Sequence, residues 1–448
     1  MSQLPDGWTL TSLGAVADVN PAPTQHAERD ELVSFVPMAA VEVGTGHLDA
    51  SDQRPLSALA GKSYRSFAEG DILFAKITPC MENGKIAIAS GLAHGTGFGS
   101  TEFHVIRPHQ AAHPRYLLHF LLQSKFRRDA RRQMTGTAGQ LRVPTRYLSE
   151  AAVPLPPFAE QERIVAAIEE EFSRIDAGVA SLAHAETRLT AMRAATLAGI
   201  ADDRRCSPVL LGTLVAGVRA GKSFRCDTRA AGEGEWGVIK VSAMTWGRFL
   251  EEENKALLPD AIPNPEYEIQ PGDVLVSRAN TVDYVGAVVR VPPCRRRLLL
   301  GDKSVRVTAK SGVGPSWLVA VLQMPGTRRQ IEHVATGTSD SMRNISQPKL
   351  MSLLVPSAGL DDQRRFLGRL AVIDGALEQL RKRIKSAERR SQALRVAVLS
   401  AAFAGRLVSR HLGDGPASNV LGRIRGEGVI AKGRKEQAGP QGGSSLYE

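Results

Sequence analysis

One run of residues in this sequence could bind a nucleotide. Residues 216–223 read AGVRAGKS, which fits a relaxed phosphate-binding loop with alanine at the first glycine position and with Lys222 as its lysine. Such a loop holds phosphates only when a strand precedes it and a helix follows it. The residues that follow, FRCDTRAAGEGEWG, are typical of a loop instead. We interpret the match as a chance resemblance, while an ATP-dependent enzyme built on Lys222 stays open as an alternative.

A metal-dependent nuclease site is also suggested by residue type. Asp71 followed by Glu82 and Lys85 resembles a nuclease signature, but Glu82 and Lys85 are one residue too far apart for it. On a strand, their spacing points the two side chains to opposite faces. The sequence contains no motif for binding S-adenosylmethionine and no convincing pattern of metal ligands. We therefore predict a protein that is not an enzyme and that holds no metal or cofactor.

Basic and amide side chains are better placed for binding than for catalysis. Arginine and asparagine can pair with guanine and adenine edges, and lysine and arginine also hold phosphates. The predicted DNA-binding residues are Lys76, Thr78, Asn83, Lys85, Arg142 and Arg146 in the first half, and Arg278, Asn280, Lys303, Arg343 and Asn344 in the second. A further basic group, at one predicted helix end, comprises Arg127, Arg128, Arg131 and Arg132. A solvated surface is the alternative for any single one of them, and Asn83 with the next glycine is also typical of a hairpin turn.

Length and charge agree with a nucleic-acid partner. A chain of 448 residues is too long for one core and predicts at least two domains. The net charge of +11 and the pI of about 9.7 favour a polyanion, nucleic acid before a membrane surface. The four cysteines are far apart, which argues against disulfides or zinc and fits a reducing cytoplasm. No signal core or membrane-spanning apolar run is evident, so we expect a cytoplasmic protein without a membrane partner.

The elements that must position these residues are arranged as an internal repeat. With a shift of about 202 residues, 67–76 lies over 269–278, and Gln161 lies over Gln363. Leu141 and Arg142 lie over Met342 and Arg343. Alternation and turn residues predict strands at 71–76, 85–89, 103–106, 273–278, 285–291 and 304–307, and helices at 114–131 and 315–329. The repeating unit is therefore a mixed α/β part followed by a long helix.

Each repeat closes on a proline-free helical stretch, 161–198 and 363–401, whose apolar residues recur every three or four positions. The predicted seam comprises Ile168, Phe172, Ile175, Val179, Leu182 and Leu189 in the first stretch, and Ile373, Leu377, Leu380, Ile384, Leu394 and Val398 in the second. Packing of each helix on its own domain is the simpler interpretation for a single stripe. Two similar stripes favour pairing with each other. The first stretch aligns only if it carries about four extra residues before Ile175.

Several motifs resemble one family. They are LPDGW at 4–8, the GDIL and GDVL strands at 70–73 and 272–275, ITPCMENGK at 77–85, GSTEF at 99–103, PLPPFAEQERI at 154–164, SRAN at 277–280 and AAFAGRLV at 401–408. In combination they are similar to the specificity subunits of type I restriction–modification enzymes, over nearly all of residues 1–408. The likeness weakens at 357–363, where the proline-rich lead-in to the second helix is degraded.

The resemblance implies an α+β fold with two target-recognition domains, separated by two long helices that pair as an antiparallel coiled coil with pseudo-twofold symmetry. The implied segments are recognition domains at 1–157 and 206–357 and conserved helical regions at 158–205 and 358–408. The composition after them, rich in glycine, serine, lysine and arginine, predicts a flexible tail at 409–448. Each recognition domain would read one half of a bipartite site in double-stranded DNA, and the helices would act as a ruler between the halves. This is the role expected in defence against foreign DNA.

The resemblance also places catalysis on partner subunits. These would be two methyltransferase subunits, which use S-adenosylmethionine, and restriction subunits, which translocate DNA with ATP and Mg²⁺. A coiled-coil scaffold that binds only protein stays open as an alternative from a different functional class.

Overall fold

A computed structural model describes residues 4–22, 28, 30–59, 61–137, 139–244, 248–339 and 342–418. Its contacts divide the chain into two compact units, Met1–Val179 with Ser386–Glu448, and Ala180–Lys385. No helix in the described part of the chain is both long enough and apolar enough to cross a bilayer. The part of the expected tail beyond residue 418 lies outside the described residues.

Short strands and helices alternate in the first repeat. In chain order they are β1 (Thr9–Ser12), α1 (Leu13–Val16), β2 (Ala17–Val19), β3 (Leu32–Val36), β4 (Gln53–Pro55), α2 (Leu56–Leu59), β5 (Arg65–Ala68), β6 (Ile72–Ala75), β7 (Ile86–Ile88), β8 (Thr96–Gly99), β9 (Phe103–Pro108), α3 (Pro114–Leu122), α4 (Ser124–Arg132), α5 (Thr145–Glu150), β10 (Ala152–Leu155) and α6 (Phe158–Ala198). One sheet has the antiparallel order β2-β9-β6-β7. A second has the order β4-β3-β8-β5, in which β3 and β8 are parallel, and β1 pairs with β10.

The second repeat has the same plan. Its elements are β11 (Ser207–Leu210), α7 (Leu211–Leu214), β12 (Val215–Ala220), β13 (Gly237–Ile239), β14 (Asn254–Ala256), β15 (Val274–Ser277), β16 (Ala279–Asn280), β17 (Val288–Arg290), β18 (Leu298–Leu299), β19 (Ser304–Ala309), α8 (Pro315–Gln323), α9 (Pro325–Val334), β20 (Thr336–Ser339), β21 (Met342–Asn344), α10 (Gln347–Met351), β22 (Leu354–Ser357) and α11 (Leu360–Ala402). Its sheets have the orders β12-β19-β15-β17, β14-β13-β18 and β16-β21-β20, and β11 pairs with β22.

The central strand β6 is apolar throughout because both of its faces are covered. Ile72 and Phe74 join a core with Tyr116 of α3, whereas Leu73 and Ala75 join a second core on the other face. In the second unit, β15 divides its side chains between two cores in the same way, and Trp317 of α8 takes the place of the tyrosine. The two single helices predicted at 114–131 and 315–329 are each broken in two, at Gln123 and at Met324, where the backbone is extended.

A buried glutamine fixes the start of each long helix. Gln161 of α6 accepts the His113 amide at 2.8 Å and donates to Ala111 O at 2.9 Å and Pro156 O at 3.0 Å. Gln363 of α11 makes the equivalent three bonds, to the Gly314 amide and to the carbonyls of Gly312 and Ala358, at 2.9, 3.0 and 2.8 Å. Each glutamine thereby satisfies backbone groups that the loop before the helix would otherwise leave buried without partners.

The long helices each contribute one part to each unit, and ion pairs connect the two parts within a unit. In the first unit, Ile168 is buried in one core with Leu399 and Ala402, and Phe172 and Val398 pack against that core. The other predicted seam residues of α6 (Ile175, Val179, Leu182, Leu189) are half-buried, as are Leu380 and Ile384 of α11, whereas Ile373 and Leu377 are buried.

Ion pairs across the helices give their direction. In the first unit, Arg395 of α11 donates to Asp176 of α6 and lies 4.5 Å over the Phe172 ring. In the second unit, Arg381 pairs with Glu186 at 2.7 Å, and Arg193 pairs with Asp374 at 2.5 Å. Residue numbers rise along α6 as they fall along α11 within the second unit, so the two helices run antiparallel there.

Leu394 does not lie in this seam, contrary to the prediction from sequence. Its side chain is 52% exposed, whereas Arg395 is half-buried. The half-buried positions advance by four residues twice, from Ala387 through Ser391 to Arg395. An α-helix has 3.6 residues per turn, so two steps of four bring Arg395 inward and rotate Leu394 toward solvent.

Candidate nucleic-acid interface

The end of β6 brings together three of the predicted DNA-binding residues in the first unit, Lys76, Thr78 and Arg142. The Thr78 amide donates to Leu141 O at 3.0 Å, and the Val143 amide donates to Lys76 O at 2.9 Å. These backbone bonds join the segment after β6 to the segment before α5. Lys76 and Thr78 therefore lie beside Arg142, which is distant from them in the sequence.

Glu102 lies within this cluster, although it was not among the predicted DNA-binding residues. Its carbonyl accepts the Lys76 amide at 2.9 Å. Its carboxylate accepts Nε of Arg142 at 2.9 Å and Nη2 at 2.8 Å, a bidentate pair. These hydrogen bonds lower the pKa of Glu102 and raise that of Arg142. The Arg142 side chain is still 40% exposed, so it can reach a ligand only by sharing or exchanging its contact with Glu102.

Lys76 is half-buried between charges of both signs. Burial lowers the pKa of Lys76, Glu102 partly offsets this, and Arg65 and Arg142 lower it further. Arg65, the first residue of β5, was not predicted, because nothing in its own segment indicates that it lies near Lys76. Beside the cluster, burial lowers the pKa of His104 to about 4, and its Nε2 lies 2.8 Å from Val143 O. A neutral imidazole donates that bond, so His104 serves the framework.

The other three predictions in the first unit lie apart from the cluster or are already bonded. The Lys85 ammonium donates to Met38 O at 2.7 Å, which commits it to its own domain. Arg146 lies on α5, is exposed, and pairs with Glu150 one turn later at 2.8 Å. Asn83 is exposed in the turn before β7, where its amide donates to Pro79 O at 3.0 Å. Of the three, only Asn83 keeps its side chain without a hydrogen bond in the described part of the chain.

The second unit builds the same cluster from different side chains. The Arg278 amide donates to Lys303 O at 2.9 Å, and the Ile345 amide donates to Arg278 O at 2.9 Å. These two bonds correspond to those of Lys76 with Glu102 and Val143 in the first unit. Arg278 therefore takes the place of Lys76, and Lys303 takes the place of Glu102.

Asn280 and Asn344 complete this second cluster on β16 and β21. Ala279 pairs with Asn344, and Asn280 pairs with Arg343. The Asn280 amide group donates to Ser277 Oγ at 3.4 Å, and its carbonyl oxygen accepts the next amide at 2.9 Å. The side chains of Lys303 and Asn344 are exposed, and those of Arg278 and Arg343 are half-exposed. All five predicted residues of this unit lie within one connected group.

The structural register corrects one alignment made from sequence. In the first unit, Arg142 pairs with both Ile77 and Thr135. In the second unit, the residue that pairs with the corresponding Ala279 and Thr336 is Asn344 rather than Arg343. The loop before this position is one residue longer in the second unit, which an ungapped match of Leu-Arg to Met-Arg conceals. Arg142 therefore corresponds to Asn344.

Arg127, predicted as part of a basic helix end, has a structural role. Its Nη1 donates to Glu82 O at 2.6 Å, and burial lowers its pKa. Arg328 of α9 does the same in the second unit, donating to Val285 O at 2.6 Å and to Asp283 O at 2.9 Å. Both arginines hold the turn that follows the central strand. The signal that could have identified them is their shared position in the repeat.

The sites for other chemistry that the sequence raised are not formed. Lys222 follows the end of β12, and no helix follows it before β13, all of whose connecting residues are described. The loop therefore lacks the helix that a nucleotide site requires. Asp71, the first nuclease candidate, is buried and paired with Arg107 at 2.6 Å. Among the described residues, no group of three histidine, cysteine, aspartate or glutamate side chains could hold a metal ion.

Known proteins similar to this chain are specificity subunits of type I restriction enzymes. Residues 5–177 match the model of the type I restriction modification DNA specificity domain. The chain is 26% identical to the EcoEI specificity subunit of Escherichia coli, with 90% of this chain and 83% of that protein covered. It is 40% identical to the E. coli EcoAI specificity subunit over 167 residues, 36% of this chain and 28% of that protein.

Two solved structures share the fold at 22% sequence identity. One is a chain from a type I restriction–modification system studied for complex assembly and conformational transition, with a TM-score of 0.68 over 91% of this chain and all of that one. The other is the HsdS subunit of Thermoanaerobacter tengcongensis, with a TM-score of 0.52 over 90% of this chain and 98% of that one. Residues 5–177 thus match a type I restriction modification DNA specificity domain, and most of the chain is similar to type I restriction enzyme specificity subunits, which supports DNA sequence recognition in a type I restriction–modification complex.

Proposed function

We propose that each unit reads one half of a bipartite DNA site and that the two strand-end clusters make the base contacts. This proposal rests on one observation: a strand-end cluster occurs in both units. Equivalent backbone hydrogen bonds hold the two clusters, but their side chains differ. A shared framework with variable polar groups is what two readers of different half-sites require. The readers proposed are Lys76, Thr78 and Arg142 in the first unit, and Arg278, Asn280, Lys303, Arg343 and Asn344 in the second. Asn83, in the turn before β7, is proposed as a further reader outside the first cluster.

The long helices would separate the half-sites. A helix of 41 residues, such as α6, is about 62 Å long at 1.5 Å per residue. Half-sites read at this separation leave base pairs between them that neither unit contacts. The recognised sequence would then contain a non-specific spacer, with the conserved helical regions, proposed at 158–205 and 358–408, fixing its length.

Catalysis in this proposal belongs to other subunits. Two methyltransferase subunits would carry S-adenosylmethionine, and restriction subunits would carry ATP and Mg²⁺, while this chain would hold no cofactor and catalyse nothing. The repeated framework supports two copies of one partner, because an internal pseudo-symmetric repeat offers two similar surfaces on one chain.

Methylome sequencing of cells that carry this subunit and its methyltransferase tests the proposal. We expect a bipartite methylated motif, in which Arg142→Ala relaxes one half and Arg278→Ala relaxes the other. Loss of a base contact costs about 1–3 kcal/mol of discrimination. Arg146→Ala is the matched control, because this arginine is exposed and paired with Glu150 outside the cluster. A short continuous motif, or two variants that alter the same half, would contradict the proposal.

A further inference from the structure

The second unit contains a cavity that, apart from Lys303, is separate from the base contacts proposed for the strand-end cluster. It has a volume of about 490 Å³ and opens between the end of β12, β13 and β14, and the turn before β19. Four lysines line it, Lys222, Lys240, Lys255 and Lys303, together with the hydroxyl side chains of Ser223, Ser242 and Ser304. One carboxylate, Asp302, lines it as well. Four lysines against one aspartate make this a strongly positive cavity.

Three of these lysines have no charged partner. Lys222, Lys255 and Lys303 are exposed and make no ion pair or side-chain hydrogen bond within the described residues. Lys240 lies 3.4 Å from Glu253. Nearby arginines of the same unit are paired, for example Arg306 with Asp273 at 2.9 Å. The cavity thus carries a net positive charge, which attracts an anion.

The backbone positions of these lysines are fixed. The Lys222 amide donates to Leu300 O at 3.2 Å, and Lys255 lies opposite Val238 in the ladder of β13 and β14. The Lys303 carbonyl accepts the Arg278 amide, so Lys303 belongs both to the cavity and to the strand-end cluster. Because a lysine is a flexible point charge, it suits a phosphate better than a base edge.

The first unit reverses the charge at two of these positions. Lys303 corresponds to Glu102, as the shared hydrogen bonds show. Lys255 faces Val238, which corresponds to Phe35, and the residue facing Phe35 is Asp52, whose carbonyl accepts the Phe35 amide at 2.7 Å. A site that needs positive charge here is therefore confined to the second unit.

We propose that this cavity binds the DNA phosphate backbone beside the second half-site, so that the two units hold DNA unequally. The inference rests on the proposed function, because it places the phosphates next to the cluster that reads bases. Lys222 and Lys255 would each neutralise a phosphate, with Lys303 between the backbone and the bases. Such contacts raise affinity for every sequence and carry no sequence information.

The test compares two double variants of the full chain in complex with the methyltransferase subunit of its system. Lys222→Gln/Lys255→Gln removes two charges from the cavity. Lys310→Gln/Lys385→Gln removes two exposed charges from the same unit outside it. Affinity for a duplex carrying the methylated motif is measured from 50 to 200 mM KCl by fluorescence anisotropy, and thermal unfolding verifies that both variants are folded.

Two lost phosphate contacts reduce the slope of log affinity against log salt by about 1.8. Over this fourfold range of salt, the wild-type complex then loses about 12-fold more affinity than the cavity variant. The control variant should keep the wild-type slope, and both should methylate the same motif. Equal slopes for the two variants, or a changed motif in the cavity variant, overturn the inference.

Two further outcomes separate the alternatives. Saturable binding of ATP to the full chain that is lost in Lys222→Gln would make the cavity a nucleotide site and overturn the inference. A wild-type complex that binds no DNA at any salt concentration would contradict the proposed function itself. Weakened salt dependence in the cavity variant alone supports the inference specifically.

Discussion

Glu102 in the first unit and Lys303 in the second occupy one position in two copies of the same fold. Each carbonyl accepts an amide from the residue that follows the central strand by one position. The side chains differ in sign. Glu102 is bonded to Arg142, whereas Lys303 faces a positive cavity. Backbone bonds thus keep the scaffold the same, while the exposed ends of the strands are free to differ.

The shared scaffold extends to buried polar groups. Gln161 and Gln363 make the same three hydrogen bonds, and Arg127 and Arg328 hold the same turn. Changing such a group leaves buried backbone atoms without partners, which costs far more than changing an exposed side chain. The repeat is thus retained where polar groups are buried and lost where they can contact a ligand.

The largest loss of stability is expected in the helical seam. The two halves of α11 differ there, because Leu377 is buried and Leu394 is exposed. Leu377→Glu places a carboxylate in an apolar position that is 4% exposed, and it should lower the free energy of unfolding by about 4 kcal/mol. Leu394→Glu, in the half that belongs to the first unit, should change it by less than about 0.5 kcal/mol, because the residue is 52% exposed. Urea denaturation of the full chain measures both. Similar losses of unfolding free energy for the two variants would show that Leu394 lies in the seam, as the sequence predicted.

The buried glutamines test whether the two scaffolds are energetically equivalent. Gln161→Ala and Gln363→Ala each remove three hydrogen bonds, at roughly 1 kcal/mol for each bond, so each should cost about 3 kcal/mol. Hydrogen exchange of amides in β6 and in β15 reports the two units separately. Gln53→Ala, on the exposed surface of β4, is the control. Reduced protection of β6 amides in Gln161→Ala, without a matching loss in β15 for Gln363→Ala, would show that the second unit depends less on its glutamine.

The smallest effect separates Glu102 from Lys303. The pKa of Glu102 is lowered, mainly by hydrogen bonds from Arg142, so its contribution to stability is present above the unfolded pKa near 4.3. It is lost as the pH falls through the lower, folded pKa. Glu102→Gln should therefore cost about 1 kcal/mol at pH 7, in line with partly exposed ion pairs, and progressively less below about pH 4.

The matched variant in the second unit is Lys303→Gln. Lys303 makes no ion pair in the described part of the chain, so its stability difference from the wild type should not change between pH 7 and pH 3. Urea denaturation at several pH values measures both variants. A pH-independent effect of Glu102→Gln would mean that its bond with Arg142 does not stabilise the fold.

Local sequence patterns predicted the repeat, the central strands and the long helices, because each depends on spacing within one segment. The run that forms β6 is apolar and begins after a glycine and an aspartate, and α6 and α11 lack proline. The patterns failed where a partner decides the outcome. The strands β3, β4 and β13 are short and irregular in sequence, and only pairing defines them. The phase of α11 near Leu394 likewise depends on packing.

The sequence predicted only those residues of the candidate site whose own segments mark them. Lys76 and Arg278 could be found because they end apolar strands. Glu102, Arg65 and Lys255 could not, because nothing in their own segments indicates that the sheets bring them to the cluster or to the cavity. Lys85 and Arg127 were predicted for their charge, whereas each is bonded to a carbonyl of its own domain. Charge alone does not distinguish a cation that is free to bind from one that is already used.

The first unit is built from two segments of the chain, and this limits when it can complete its folding during synthesis. The segment after α11 closes on the beginning of the chain, where the Ala417 amide donates to Gly7 O at 3.0 Å, and Asp414 pairs with Arg163. The ribosome must therefore complete the whole second unit before the first can gain its last contacts. At about 5–20 residues per second, the 206 residues from 180 to 385 take roughly 10–40 s to synthesise. The unit whose synthesis begins first thus cannot gain all of its contacts until residue 417 has been made, and a chain truncated before residue 414 would lack both of these contacts.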